Sequence, residues 1–376
     1  MAPPIRNLKM LDLSRQLPGP FCSLMLADLG VDVLVVASPA DVMGLGIPII
    51  QRNKRSMTLN LKSLEGKKIF NRLAQEADIV LEGFRPGVTA RLGIDYASMR
   101  TLNPQLIYCS ISGYGQDGPY RDKVGHDLNY LGYAGVLGVS GPAGGPPLPM
   151  PVQVADIGGG ALMAAIGILA AVIAREHTGR GQFVDTSMMD GSMAWNAFHT
   201  LMYLVSGGQQ PQRGQTRLTG HNPCYAIYET KDGKYVTVGA LEEHFWRNLC
   251  VALGVEEFIP EQFSEGPRRE EMFGVIREKF RQKTQAEWLQ QLGTIDICFG
   301  PVNTVGEAFA DPQVQARGMV RDIGGMKVIA SPLKLSDTPP VQPTAPPEFG
   351  QHTDEVLRGL GYSAERIQAL RSGGVI

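Results

Sequence analysis

The sequence is poor in features that announce a metal or a redox cofactor. Its 376 residues hold only five cysteines, Cys22, Cys109, Cys224, Cys250 and Cys298. They are scattered, odd in number and without a Cys-x-x-Cys pair. That argues against a disulfide framework or a cysteine zinc site, and for a reducing, cytoplasmic compartment. No metal site is expected. The chain also lacks the Gly-x-Ser-x-Gly elbow, the His-Glu-x-x-His helix and the Walker loop, which leaves hydrolase, zincin and NTPase readings without support. Charge is balanced at a formal net of −2, so nothing electrostatic points to nucleic acid or an anionic membrane. Met1–Asn7 is too short and Pro-rich to read as a signal segment. The one long apolar run, Ile157–Ala174, approaches bilayer length. It is rich in Gly and Ala and lacks aromatic anchors, so it reads as a buried helix packed closely against another backbone.

What is present reads as an α/β protein. Leu8–Leu13 is a short apolar strand, followed by Pro18-Gly19-Pro20, a helix through Leu29 and the β-branched strand Val31–Val36. Strand, turn, helix and strand in that order begin a βαβ unit and hence a parallel sheet. The turn is not a Gly-x-Gly-x-x-Gly fingerprint, which argues against NAD or FAD. Further strands are expected at Ser56–Leu61, Asp78–Glu82, Leu106–Ser112 and Phe183–Ser187, with helices at Ser63–Glu76 and Met188–Val205. Arg52, Lys54, Arg55, Lys62, Arg85 and Arg91 fall near strand ends, where open α/β sheets bind ligands. They are candidate phosphate contacts. Beyond the polar stretch Gly207–Gly220, Ala226–Glu229 and Tyr235–Gly239 flank Lys231-Asp232-Gly233-Lys234 as a hairpin. Helices follow from Glu243 through Leu292, then an edge strand at Val328–Pro332 and a final helix or pair at Thr353–Ser372. The expected division is a large lobe from 1–206 and 320–376, a linker at 207–224 and a small α+β lobe at 225–319.

Three groups are candidates for chemistry. His126 lies in Gly125-His126-Asp127-Leu128-Asn129-Tyr130, at a helix start after a turn-rich stretch. Asp156 stands at the far end of a Gly/Pro-dense loop, directly before Gly158-Gly159-Gly160 and the apolar helix. A histidine and a carboxylate delivered from two glycine-bordered turns can form a facing acid/base pair. Both also suit ordinary helix capping. The third group is Gly239–Trp246, where Glu242, Glu243 and His244 follow the hairpin. There helix N-terminal charge complementarity is the simpler reading.

Taken together, the landmarks resemble the family III CoA-transferases, the CaiB/BaiF group, over nearly the whole length. They are Pro18–Phe21, Leu26–Gly30, Asn53–Ser56, Phe84–Val88, Gly113–Pro119, Gly179–Gln182 and Gly350–Thr353. The resemblance implies a large Rossmann-like lobe, a smaller lobe and an interlocked homodimer. It implies an acyl-CoA thioester as partner, CoA being carried by the substrate and no other cofactor needed. By position the CoA contacts would be Leu59, Asn60, Leu61, Lys62, Gly83, Phe84, Arg85, Arg91, Gly125, Asp127, Leu128, Asn129 and Tyr130.

Two chemistries within the family both use Asp156. In the transferase branch the carboxylate attacks the thioester to give a mixed anhydride. In the 2-methylacyl-CoA racemase branch it is an acid/base opposite the histidine of a Gly-His-Asp-x-Asn-Tyr motif, intact here at Gly125–Tyr130. The racemase glutamate maps to Glu242 within Ala240–Phe245, as partner of His126. Two bases on opposite faces of a planar enolate suit racemisation, and the Gly158–Gly160 turn is a candidate donor of N–H groups to the thioester oxygen. The racemase is the expected function. A CoA-transferase is the alternative, and a non-catalytic subunit of a hetero-oligomeric transferase, which would be expected to lack the aspartate, the third. Three stretches depart from the pattern. Val36-Ala37-Ser38 lacks the usual charge, which leaves two alternatives: an adenine or phosphate contact is absent, or Arg52 or Arg55 replaces it. Leu218–Pro223 differs from the racemase loop, and Ser14–Leu17 looks transferase-like.

Overall fold

The structure is a computed structural model that describes residues 2–41 and 43–376. The chain divides into two compact units. The first comprises Met1–Val136, Met150–Ala197 and Gln315–Ile376, and the second Leu137–Pro149 and Phe198–Val314. The stretch expected as a linker belongs to the second unit and buries Thr216, Asn222 and Cys224.

The first unit is built on six strands, β1 (Lys9–Asp12), β2 (Asp32–Ala37), β3 (Lys54–Thr58), β4 (Ile79–Glu82), β5 (Ile107–Ser112) and β6 (Phe183–Ser187). They lie in the order β3-β2-β1-β4-β5-β6, every pair parallel. This is the doubly wound order, whose switch point falls between β1 and β4. Central strands of such a sheet are covered on both faces, so they read as continuous apolar runs. Accordingly, five of the six β2 residues and all six of β5 are buried. On one face Leu11, Leu34, Val80 and Tyr108 pack with Ile69 and Phe70 of the helix Leu64–Glu76 and with Leu357 and Leu370 near the C-terminus. The helices Pro18–Asp28 and Met163–Thr178 contact β1 and β5 respectively. Ser63 caps the helix Leu64–Glu76 by accepting from the Gly66 N–H at 2.9 Å.

Several elements differ from the sequence reading. The apolar helix begins with a π-helical segment, Val154–Leu162, that contains Asp156, and continues as Met163–Thr178. Asp156 is therefore inside a helical element and is not its cap. Together these 25 residues are long and apolar enough to cross a membrane, but Gly158–Ala161, Ala164, Ala165, Ile168 and Ala171 are buried in the protein. The expected helix Met188–Val205 breaks at Asn196 into Met188–Trp195 and Ala197–Val205. A hairpin, β10 (Val320–Ile323) and β11 (Met326–Ile329), stands where one edge strand was expected.

The second unit holds the antiparallel sheet β7 (Tyr225–Glu229), β8 (Tyr235–Gly239) and β9 (Phe299–Pro301). Tyr228, Val236 and Val238 pack with Trp246, Leu249, Ile276 and Phe280 from the helices Glu243–Leu253 and Gly266–Phe280.

Arg52 and Lys54 are buried and structural, which corrects the phosphate-binding expectation for these two. These residues enter β3 from its amino end. The buried Arg52 guanidinium pairs with the buried Asp28 carboxylate at 2.6 Å, and Asn53 donates to the same carboxylate at 2.8 Å. Burial raises the Asp28 pKa despite Arg52. Lys54 is buried, donates to the Pro20 carbonyl at 2.8 Å and to Gln51 at 3.0 Å, and is lowered to about 8 by desolvation. Arg55 pairs with Asp32 at 2.7 Å and Glu355 at 3.5 Å. Arg52, buried against Asp28, is not available to replace a ligand contact, whereas Arg55 is partly exposed. Arg52→Ala leaves Asp28 buried and unpaired, and is expected to destabilise the fold by about 3–5 kcal/mol in urea titrations.

Candidate active site

His126 occupies the N-cap position of the helix Asp127–Tyr133. Its backbone N–H donates to Asn129 Oδ1 at 3.0 Å, which fixes the turn. The Tyr130 hydroxyl donates to the Gly125 carbonyl and draws the ring under the same turn. That ring fits because residues 113 and 125 are glycines. A Cβ at Gly113 would lie 2.5 Å from Tyr130 Cε1, and one at Gly125 2.8 Å from the same atom. The result is an exposed imidazole on a braced turn.

Asp156 comes from the π-helical segment, an element frequent at functional sites. The Ala155 and Asp156 N–H groups, which open this segment, donate to Asp127 Oδ1 at 2.7 and 3.0 Å. One carboxylate, the chain neighbour of His126, thus ties the histidine turn to the Asp156 backbone. Asp156 is half-buried, and its pKa is pushed up to about 6. Desolvation is the largest cause, the Asp127 charge adds to it, and the His126 charge opposes it.

The Gly158–Gly160 expectation is corrected. These glycines are buried and let two backbones meet. A Cβ on Gly159 would lie 2.5 Å from the Met188 carbonyl oxygen, and one on Gly158 3.3 Å from the Trp195 ring. They form a packing surface inside a helical element and not an open helix N-terminus with free donors.

At the carboxyl ends of β1 to β4 lies a groove of about 930 Å³. It brings together Leu59, Asn60, Leu61, Lys62, Phe84 and Arg91, all expected CoA contacts. Gly83 and Arg85 are exposed and outside its lining. Leu128 is exposed, while the Asp127, Asn129 and Tyr130 side chains make the internal bonds described above. Sequence reasoning missed Arg15, paired with Asp41 at 3.2 Å on the groove wall, and Gly374, whose carbonyl accepts from Asn60 Nδ2 at 3.2 Å. It also missed Glu82, buried at the end of β4. Glu82 accepts from the Ser110 hydroxyl and from the Phe84 N–H at 2.7 Å, and desolvation raises it to about 7. The only signal was a carboxylate closing an apolar strand.

Glu242 lies in the second unit, exposed, at the N-cap of the helix Glu243–Leu253 and without a side-chain cap hydrogen bond. Among the described residues no cluster of His, Cys, Asp or Glu has the makings of a metal site.

A doubly wound sheet with a basic-rimmed groove at its strand ends, and a braced histidine and perturbed aspartate on the same unit, defines a ligand-binding α/β enzyme scaffold. The model of CoA-transferase family III matches residues 5–353. The chain is 37% identical to the alpha-methylacyl-CoA racemase of Mus musculus over 377 residues, covering 99% of this chain and 97% of that protein. It is 31% identical to the human succinyl-CoA:glutarate CoA-transferase, covering 99% and 90%. A crystal structure of a CAIB/BAIF family protein from Brucella suis superposes with a TM-score of 0.84 at 31% identity, covering 96% of this chain and all of that one. The chain belongs to CoA-transferase family III and is an enzyme of that type.

Proposed function

We propose that the protein is an acyl-CoA racemase that inverts the α-carbon of a 2-methylacyl-CoA by proton transfer between His126 and Asp156. The observation that carries this reading is the Asp127 carboxylate, which accepts from the Asp156 N–H at 3.0 Å and so couples the two turns. The thioester makes the α-proton acidic. In one direction Asp156 holds a proton and His126 takes one from the substrate; in the other their states are exchanged. Either way one proton leaves one face of an enolate and another arrives at the opposite face, leaving the enzyme's proton count unchanged. Glu242 is proposed as the carboxylate serving His126, on its place in Ala240–Phe245. The 37% identical relative named for this reaction supports the assignment.

The CoA portion is proposed to lie in the groove at the strand ends, its phosphates met by Lys62 and Arg91. Lys62→Ala/Arg91→Ala is expected to raise KM about ten-fold or more while kcat changes little, because phosphate contacts are made equally in ground and transition states. Steady-state kinetics at two salt concentrations checks this. A homodimer is part of the reading. Ile166 and Ile173, seven residues apart on one helix, and Met193 and Trp195 are all more than half exposed, as expected of side chains that a second copy covers.

The test is incubation with one enantiomer of a 2-methylacyl-CoA in D2O, without acceptor acid. Deuterium at Cα with loss of optical purity supports the racemase. No exchange, with transfer of labelled CoA to an added carboxylic acid, would replace it by the transferase. That second reading is favoured by the 31% identical transferase and by the half-buried Asp156, a carboxylate also suited to attack on a thioester.

A further inference from the structure

We infer that Asp127 is a positioning residue for Asp156: its carboxylate fixes the backbone of residues 155–156 and opposes the negative charge beside it, and makes no contact with the CoA moiety. Two bonds carry this. Asp127 Oδ1 accepts from Ala155 N at 2.7 Å and from Asp156 N at 3.0 Å. Both donors begin a helical element, where N–H groups have no partner of their own and a carboxylate is the favoured acceptor. Asp127 is thus a cap supplied from 28 positions upstream. It locks Asp156 to the turn that presents His126, its own chain neighbour.

The electrostatic consequence follows from the same placement. Two carboxylates so close disfavour each other's ionisation. Burial is the larger cause of the raised Asp156 carboxyl, and the Asp127 charge adds to it. The surroundings contain few other groups to do this. The helix Asp127–Tyr133 brings Asp127 and the Tyr130 phenol, and His126 at its cap lowers Asp156. The helix Met188–Trp195 carries Asp190 as its one acid. Helix Pro18–Asp28 carries Cys22 and Asp28, the latter paired with Arg52. The strands β5 and β6 carry Tyr108, Cys109 and Asp185, the last accepting from the Gln116 N–H at 3.0 Å. Of these, Asp127 raises the Asp156 carboxyl and His126 lowers it.

The inference rests on Asp156 being the proton-transfer group, and its first readout needs no substrate. The Asp156 carboxyl is titrated by difference infrared spectroscopy, each protein against its own Asp156→Asn counterpart. In the unaltered protein the midpoint is expected at about 6. In Asp127→Asn, which keeps an oxygen acceptor and loses the charge, the midpoint is expected to fall, but to stay above the ordinary aspartate range because burial, the larger cause, remains. Asp127→Ser, also an uncharged oxygen acceptor, is expected to move it the same way. The acid limb of kcat/KM for α-proton exchange should follow, with KM for acyl-CoA unchanged. An unmoved midpoint in both variants overturns the inference, as does a raised KM without a moved midpoint, which is the signature of a CoA contact. If neither variant folds, Asp127 is a determinant of the fold and the inference falls. A titration that moves in a protein showing no α-proton exchange keeps the positioning role and removes the racemase reading.

Discussion

Asp156→Asn is expected to lower racemisation by about three orders of magnitude, within the range that a positioned acid/base contributes. The loss should be one-sided. The enantiomer whose α-proton faces Asp156 loses exchange in D2O, while its mirror image still exchanges through His126 without inverting. His126→Gln should show the converse. A transferase gives a different pattern, because Asp156→Asn removes the nucleophile and abolishes CoA transfer, whereas His126→Gln leaves transfer intact. Chiral chromatography with deuterium counting separates these outcomes. The pH dependence has a definite sign. With Asp156 at about 6, the direction that uses it as a base declines below that pH as the carboxylate is protonated. Stability runs the other way. A carboxyl whose folded pKa lies above its unfolded value holds its proton more tightly when folded, so its contribution is fully present below the unfolded pKa and is lost as pH rises through about 6. Asp156→Asn is therefore expected to have an unchanged or higher Tm at pH 8, which separates loss of chemistry from loss of fold.

The parts of this protein that were legible in the sequence are those written in short-range pattern. Asp32–Ala37 and Ile107–Ser112 read as strands because a sheet covered on both faces asks for unbroken apolar runs. The βαβ start and the Lys231–Lys234 turn were legible for the same reason. The groove was half legible. Lys62 and Arg91 stand at carboxyl ends of strands, but Arg52 and Arg55 stand at an amino end, and the same letters there make ion pairs with Asp28 and Asp32. Which end a basic residue occupies depends on strand boundaries, the least certain part of any reading from pattern. His126 and Asp156 were visible as candidates. Their link was not, because the Asp127 bond to Ala155 spans 28 residues and leaves no periodic trace. The π-helical segment was equally hidden in the apolar run Ile157–Ala174.

Gly191→Val is expected to abolish the fold, and Gly191→Ala to damage activity more than stability. A Cβ on Gly191 would stand 2.2 Å from the Gly159 carbonyl oxygen, 2.5 Å from its Cα and 2.7 Å from its carbonyl carbon. All three are backbone atoms, so no rotamer change relieves the clash. The helix Met188–Trp195 must back away from the π-helical segment, and overpacking of this kind costs about 1–3 kcal/mol for a single methyl. Valine adds two more carbons to the same clash. The Gly191→Ala displacement passes directly to Asp156, three residues before Gly159 in that segment. A shift of about 1 Å in a reacting group costs about 100-fold in rate. Gly191→Ala should thus remain folded by circular dichroism with a Tm lowered by several degrees, while exchange falls far more than that loss accounts for. Gly274→Ala is the matched control: it too lies in a helix, Gly266–Phe280, but its Cβ would meet nothing within 4 Å. There alanine is expected to hold or raise Tm through helix propensity alone, with activity unchanged. A Gly191→Ala protein with full activity would mean that the close approach of the two backbones does not set the position of Asp156.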